Sequence, residues 1–221
     1  MMRSSRRPSW WPDYGLLLRQ NGLWVTLAAV LFGLGFGGGF AAARSAPETV
    51  VAAMAPVMQQ LEGLAAQVVA ADDPFTRTWV IFANNIRVTT LVMVLGVGLG
   101  LVPVVVLLAN GVLIGLILAL ATAPTAGSLP ALARTSDPLL LAAATLPHGI
   151  IELSAVLLAT AWGLKIGLAF LVPSAAGRRG IVWRAALREC VQIYAVVFVL
   201  LLLAAAIEGN ITLLLVRALR G

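Results

Sequence analysis

Residues 103–123 read PVVVLLANGVLIGLILALATA, a run with no charge and a single side-chain amide, Asn110. An α-helix rises about 1.5 Å per residue, so a run of this length crosses the ~30 Å hydrocarbon core of a bilayer. Predominantly apolar runs recur at residues 23–43, 82–101, 147–172 and 191–207, the second of these carrying Arg87 and the third Glu152 and Lys165. The whole chain of 221 residues is 61% hydrophobic and 11% charged, with mean hydropathy +0.99. Soluble domains carry roughly a quarter of charged residues, so this composition belongs in lipid. The expected fold is all-α: a polytopic helical membrane protein of about five transmembrane helices. Residues 1–22 form a cytoplasmic N-terminal tail and residues 23–221 a single helical membrane domain.

Between the first two spans, residues 47–71 place Val50, Met54, Val57, Leu61, Leu64 and Val68 at three- and four-residue spacing. That period makes an amphipathic helix, with Gln59, Gln60, Glu62 and Gln67 as its weak polar face. It lies on the membrane surface or against the bundle. Arginine and lysine set the orientation: with the N-terminus inside, nine fall on the cytoplasmic side and six outside. The C-terminus and the amphipathic helix are then extracytoplasmic. The first apolar run is too long for a cleaved leader and reads as a retained helix, collared by Trp10, Trp11, Tyr14 and Trp24.

The net charge of +6 does not point to nucleic acid, because the arginines flank apolar runs and the N-terminus. One cysteine, Cys190, leaves no internal disulfide and no thiolate metal cage. Glycines are concentrated on helices: Gly33, Gly35, Gly37, Gly38 and Gly39 in the first span, and the four-residue pairs Gly96 with Gly100 and Gly111 with Gly115. Small residues at this spacing let backbones approach closely, without saying which. The tight GLGLVP turn suggests that the second and third spans form a hairpin.

Chemistry concentrates in a few polar residues. TLPHGIIEL, residues 145–153, holds the single histidine, His148, four residues before Glu152, on one helical face. Pro147 is read as a helix break from which a new helix starts, and Gly149 thins the backbone beside it. FANNIRVTT supplies Asn84, Asn85 and Arg87 at the same membrane level, and Glu208 follows the last span. Together Asn84, Asn85, Arg87, His148, Glu152 and Glu208 make a buried polar cluster, with Arg87 paired to Glu152 or Glu208. It is either a satisfied network that fixes helix register or a ligand or proton site. His148 and Glu152 alone supply two of the three or four ligands a metal needs, so no metal and no cofactor is called for. Asn110 reads as an interhelical hydrogen bond, with Gly111 a packing position, and Lys165 as a side chain snorkelling to the interface. No nucleotide loop, Ser-His-Asp set or metalloprotease helix is present, so no complete catalytic constellation indicates an enzyme.

NNIRV, LGVGLGLVPVVVLLANGVLIGL, PHGIIELSAVLLATAWGLKIG and LLAAAIEGNIT, taken in order, resemble the successive blocks of the stage II sporulation protein M family of multi-pass membrane proteins. The resemblance covers about residues 84–211, with IEGNIT departing from the family's usual aromatic and proline after Glu208. By position it places the family's polar signature on Asn84, Asn85, Asn110, Gly111, Pro147, His148, Gly149, Glu152 and Glu208. It implies a non-enzymatic scaffold of an envelope complex, working during sporulation engulfment with cell-wall-degrading partners. Expected partners are therefore the lipid bilayer, other membrane or envelope proteins, cell-wall hydrolases and a second copy of the chain, and no nucleic acid. The residues themselves leave a second reading open: a small-solute or proton-coupled transporter or channel that uses His148 and Glu152.

Overall fold

The computed structural model describes residues 12–121, 138–169, 179–212 and 214. Trp10 and Trp11, the expected span ends at 122–123 and 170–172, and most of the C-terminal tail lie outside them. The described chain is helical, with no strand among the described residues: α1 (Tyr14–Gln20), α2 (Gly22–Ser45), α3 (Pro47–Ala70), α4 (Pro74–Leu95), α5 (Leu101–Ala121), α6 (Pro138–Leu168) and α7 (Arg179–Ala206). Helix α7 continues directly into a π-helical segment, Ile207–Thr212. Among the described residues, five helices are long and apolar enough to span a bilayer: Gly22–Ser45, Pro74–Leu95, Leu101–Leu120, Thr145–Leu168 and Gly180–Thr212. Helix α3 is the amphipathic segment and packs against α2 and α4.

Two spans begin earlier than their apolar pattern. Helix α4 starts at Pro74 rather than near residue 82 because Asp73 caps it: its carboxylate accepts from the Thr76 amide at 2.9 Å and the Thr76 hydroxyl at 2.5 Å. Pro74 at the first helical position has its φ already set for a helix. The bonds from Thr76 hold the Asp73 carboxyl below its ordinary range. Helix α7 starts at Arg179 rather than near 191, so the basic stretch before the fifth apolar run is its own first turns.

Pro147 does not break its helix. Helix α6 runs from Pro138 to Leu168 with Pro147 inside it. The ring deletes one hydrogen bond, to the carbonyl four residues earlier. Ending the helix there would leave several backbone groups unpaired in lipid, so continuation is the less unfavourable course.

Glycines decide which helices meet. A Cβ on Gly39 of α2 would lie 2.7 Å from the Cα of Val112, and one on Gly111 of α5 would lie 2.8 Å from the Phe36 amide nitrogen. Gly35 and Gly115 meet the facing backbone in the same way, against Leu108 and Phe36. So α5 packs backbone to backbone along α2, and not chiefly on α4 as the hairpin reading expects. The turn that ends α4 carries Gly96 and Gly100 onto Gly163 and Gly167 of α6, where a Cβ on Gly167 would lie 2.9 Å from the Gly100 Cα. This turn bends sharply enough to hold Leu99 at φ 59° and Gly100 at φ 72°.

Helix α6 is the most enclosed span. Its Ala155, Ala159, Trp162 and Ile166 are buried with Phe82 and Met93 of α4 and Ile193, Val197 and Leu201 of α7. Gly33 faces open space, with nothing within 4 Å of an added Cβ. Gly39→Ala should therefore lower unfolding stability in detergent by about 1–3 kcal/mol through overpacking, whereas Gly33→Ala should leave it unchanged or slightly higher. Parallel thermal or SDS titrations of the two variants check this.

Candidate functional site

A cavity of about 390 Å³ opens between α4, α5 and α6 near the Thr145 end of the fourth span. Helix α4 lines it with Asn84, Asn85, Val88, Thr89 and Val92. Helix α5 adds Asn110, Leu113, Ile114 and Ile117. Helix α6 contributes the stripe Thr145, His148, Gly149, Glu152, Leu153 and Val156, the three- and four-residue spacing that puts side chains on one face. A second cavity of about 280 Å³ adjoins it under α3, sharing Leu61, Asn84, Asn110 and Leu113 and adding Gln60. Asn84 and Asn110 thus stand between the two spaces.

The amides are only partly satisfied by one another. Asn84 donates to the Asn85 side-chain oxygen at 3.2 Å, and Asn110 donates back to the Val106 carbonyl of its own helix at 2.8 Å. Asn110 therefore turns its remaining amide capacity toward the cavity it lines, instead of making the expected bond to another helix among the described residues. Gly149 meets only the Thr145 methyl, at 3.8 Å from an added Cβ, so it leaves room in the cavity where a side chain would take it. Gly111 is a packing glycine, set against Phe32 and Phe36 of α2.

His148 links the cavity to the end of α7. Its Nε2 lies 3.9 Å from Oε2 of Glu208, and its Nδ1 lies 3.3 Å from the Thr212 hydroxyl. One ligand atom from each of His148, Glu152 and Glu208 falls within 4.8 Å of the other two. The π-helical segment brings Glu208 and Thr212 to the same imidazole, and α4 holds that segment in place. Arg77 donates from Nε to the Gly209 carbonyl at 3.0 Å, and Asn210 donates to the Thr78 hydroxyl at 3.1 Å. A Cβ on Gly209 would stand 3.2 Å from the Thr78 amide nitrogen, so this glycine permits the approach.

Arg87 does not belong to this cluster. It is exposed, does not line the cavity, and forms no ion pair among the described residues. Asn84 and Asn85 line the cavity, whereas Arg87, about 200° around α4 from Asn85 but only about 60° from Asn84, carries its side chain out of the cavity. The sequence reading missed Arg77, Thr78, Asn210 and Thr212. No pattern in IEGNIT announces a π-helical turn, although its polar residues four apart were visible.

A second polar layer closes the other end of the bundle. Lys165 of α6 donates to Glu189 of α7 at 2.5 Å and to the Asn21 side-chain oxygen at 2.6 Å. Asn21 in turn donates to the same Glu189 oxygen at 3.0 Å and to the Leu17 carbonyl at 2.9 Å. Lys165 is therefore tied into a three-way network and does not snorkel. Glu152 and Lys165 are separated by about 20 Å along α6 at 1.5 Å per residue, so the two layers sit toward opposite ends of the span.

Five apolar helices with polar groups held inside the bundle define a multi-pass helical membrane protein. The chain belongs to the Stage II sporulation protein M family, whose profile matches residues 28–213, from α2 to the π-helical segment. No curated protein and no solved structure matches it.

Lys165→Met should remove the cation paired with Glu189. With both side chains only about a fifth to a quarter exposed, the loss should be about 1–3 kcal/mol, less than for a fully buried pair. Pairing it with Glu189→Gln should recover part of that loss, as read from a double-mutant cycle of unfolding in detergent.

Proposed function

We propose that this protein is a non-enzymatic membrane scaffold of an envelope complex, resembling the sporulation engulfment component that works beside cell-wall-degrading enzymes. Helix α3 carries the reading. It stands apart from the five candidate spans and keeps apolar side chains uncovered, with Val69 76% exposed and Val57 37%. An amphipathic helix of this kind outside the spans is a docking surface for another envelope protein. Membership of the sporulation family and the glycine-locked bundle, a rigid platform for such a helix, support the same reading. The excess of arginine on the Lys165 side supports a cytoplasmic N-terminus, with α3 and the C-terminus extracytoplasmic.

A photo-crosslinking residue at Val69, in cells, tests it. The expected result is one discrete adduct with a wall-acting or other envelope protein, while a probe at Leu95, exposed near the far end of α4, gives none. Adducts only with lipid, or only with a second copy of the chain, would count against the scaffold.

The cavity favours a second reading, a transporter or channel for a small solute or protons, since ionisable groups at membrane depth often line such paths. Liposome flux compared among wild type, His148→Ala and Glu152→Gln decides it. Silence over a broad panel of ions and solutes retires transport.

A further inference from the structure

We propose that His148, Glu152 and Glu208 bind one divalent first-row transition cation, in the range from Mn²⁺ to Zn²⁺, which clasps α6 to the π-helical end of α7. Bonds of such ions to imidazole nitrogen and carboxylate oxygen are about 2.0–2.2 Å, so two ligands on one ion stand about 3–4.4 Å apart. The 3.9 Å between His148 Nε2 and Glu208 Oε2 is within that range, and the 4.8 Å limit on the whole set lies a few tenths of an ångström beyond it. Small side-chain rotations close the set without moving a helix.

Three further observations converge. The two carboxylates face each other without an arginine or lysine partner among the described residues: Arg87 is exposed and in no ion pair there, and Arg77 directs its donors at the Gly209 and Ala71 carbonyls. Carboxylates this close at membrane depth are stabilised either by a bound proton or by positive charge between them, and a divalent ion would supply the second. The imidazole has Nδ1 on the Thr212 hydroxyl and Nε2 toward Glu208, so the tautomer protonated at Nδ1 would present its Nε2 lone pair as metal-ligating histidines do. The π-helical turn itself, a geometry found often at functional sites, puts Glu208 and Thr212 on the same imidazole. A nitrogen ligand disfavours Ca²⁺ and Mg²⁺, which prefer oxygen throughout. Three protein ligands would leave at least one coordination position free, and two of them, His148 and Glu152, border the cavity.

This site is independent of the scaffold reading, because it is measured on the isolated chain, whereas the crosslink is measured in the cell. Full-length protein purified in detergent is stripped with chelator, reloaded with Zn²⁺ or Mn²⁺, desalted, and its metal counted by mass spectrometry alongside thermal unfolding. The expected result is one ion per chain and a raised midpoint of unfolding. Glu152→Gln and Glu208→Gln should each weaken binding at least 100-fold. Each should also leave the metal-free midpoint equal to or above that of wild type, since each removes one of two facing charges. A loss of metal-free stability in both variants would instead mark a purely structural network and overturn the proposal. Co²⁺ loading of the wild type needs no variant: visible d–d absorption at one equivalent supports the site, and its absence overturns it. Stoichiometric metal retained equally by wild type and both glutamine variants would place the ion elsewhere and overturn it too.

Discussion

Helix α6 takes His148, Glu152 and Lys165 into a bilayer, and none of the three can be left alone there. Each carries a desolvation penalty that a partner on another helix, or for a carboxyl a bound proton, offsets. The arrangement of the bundle follows from that requirement. Lys165 draws the start of α2, through Asn21, and the first turns of α7, through Glu189, to one end of α6. His148 draws the other end of α7, through Glu208 and Thr212, to the opposite end. Helix α7 is thus fixed to α6 at two levels, with Ile193, Val197 and Leu201 filling the interval. Polar contacts set the register along the axis, and apolar packing fills what the register leaves.

Glycine makes these contacts reachable. In lipid there is no hydrophobic gain from bringing two apolar helices together, so association rests on close packing and hydrogen bonds. The α2–α5 seam at Gly35, Gly39, Gly111 and Gly115 removes side chains where the backbones meet. The Gly96–Gly100 turn on Gly163 and Gly167 does the same for α4 and α6. With α4 held that near, Asn84 and Asn85 reach the cavity that His148 and Glu152 line. The same approach brings Arg77 and Thr78 onto the π-helical segment.

How much of this was legible in the sequence depended on the range of the signal. The helices of the spans and α3 were readable because hydropathy and the 3.6-residue period are local properties, and Leu101–Ala121 announces itself. Helix partners were not, since a four-residue glycine spacing specifies a close approach and carries no address; Gly111 met α2, against the hairpin expected from the turn. Pro147 misled because its rule comes from water, where a broken helix finds solvent for its freed groups. Arg87 misled because shared depth was taken for shared contact: it stands at the level of the asparagines, but its side chain is exposed and outside the cavity they line. The role of Lys165 was hidden by distance, 144 residues from Asn21 and 24 from Glu189. Asn84, Asn85, His148, Glu152 and Glu208 stood out as polar residues because such residues are rarely carried into lipid without a partner, whereas Asn110 was read as a packing bond and lines the cavity instead.

The geometry also links the two ends of the functional argument. Helix α3 roofs the smaller cavity with Met54, Val57, Gln60, Leu61 and Leu64, and that cavity shares Asn84 and Asn110 with the larger one. A partner seated on α3 would press on the wall of the polar space, and whatever fills that space would bear on the seat of α3. Coupling of this kind would need no long pathway, because α3 and the asparagines line the same small cavity. It requires an element with two stable positions, and α3 is suited to be one: it lies outside the spans, much of its surface is exposed, and it lacks the glycine seams that lock α2 to α5 and α4 to α6. A clasp between α6 and α7 would hold the far wall still while α3 moved, and in the proposed scaffold role the bundle would then be the fixed frame against which a docked partner is registered.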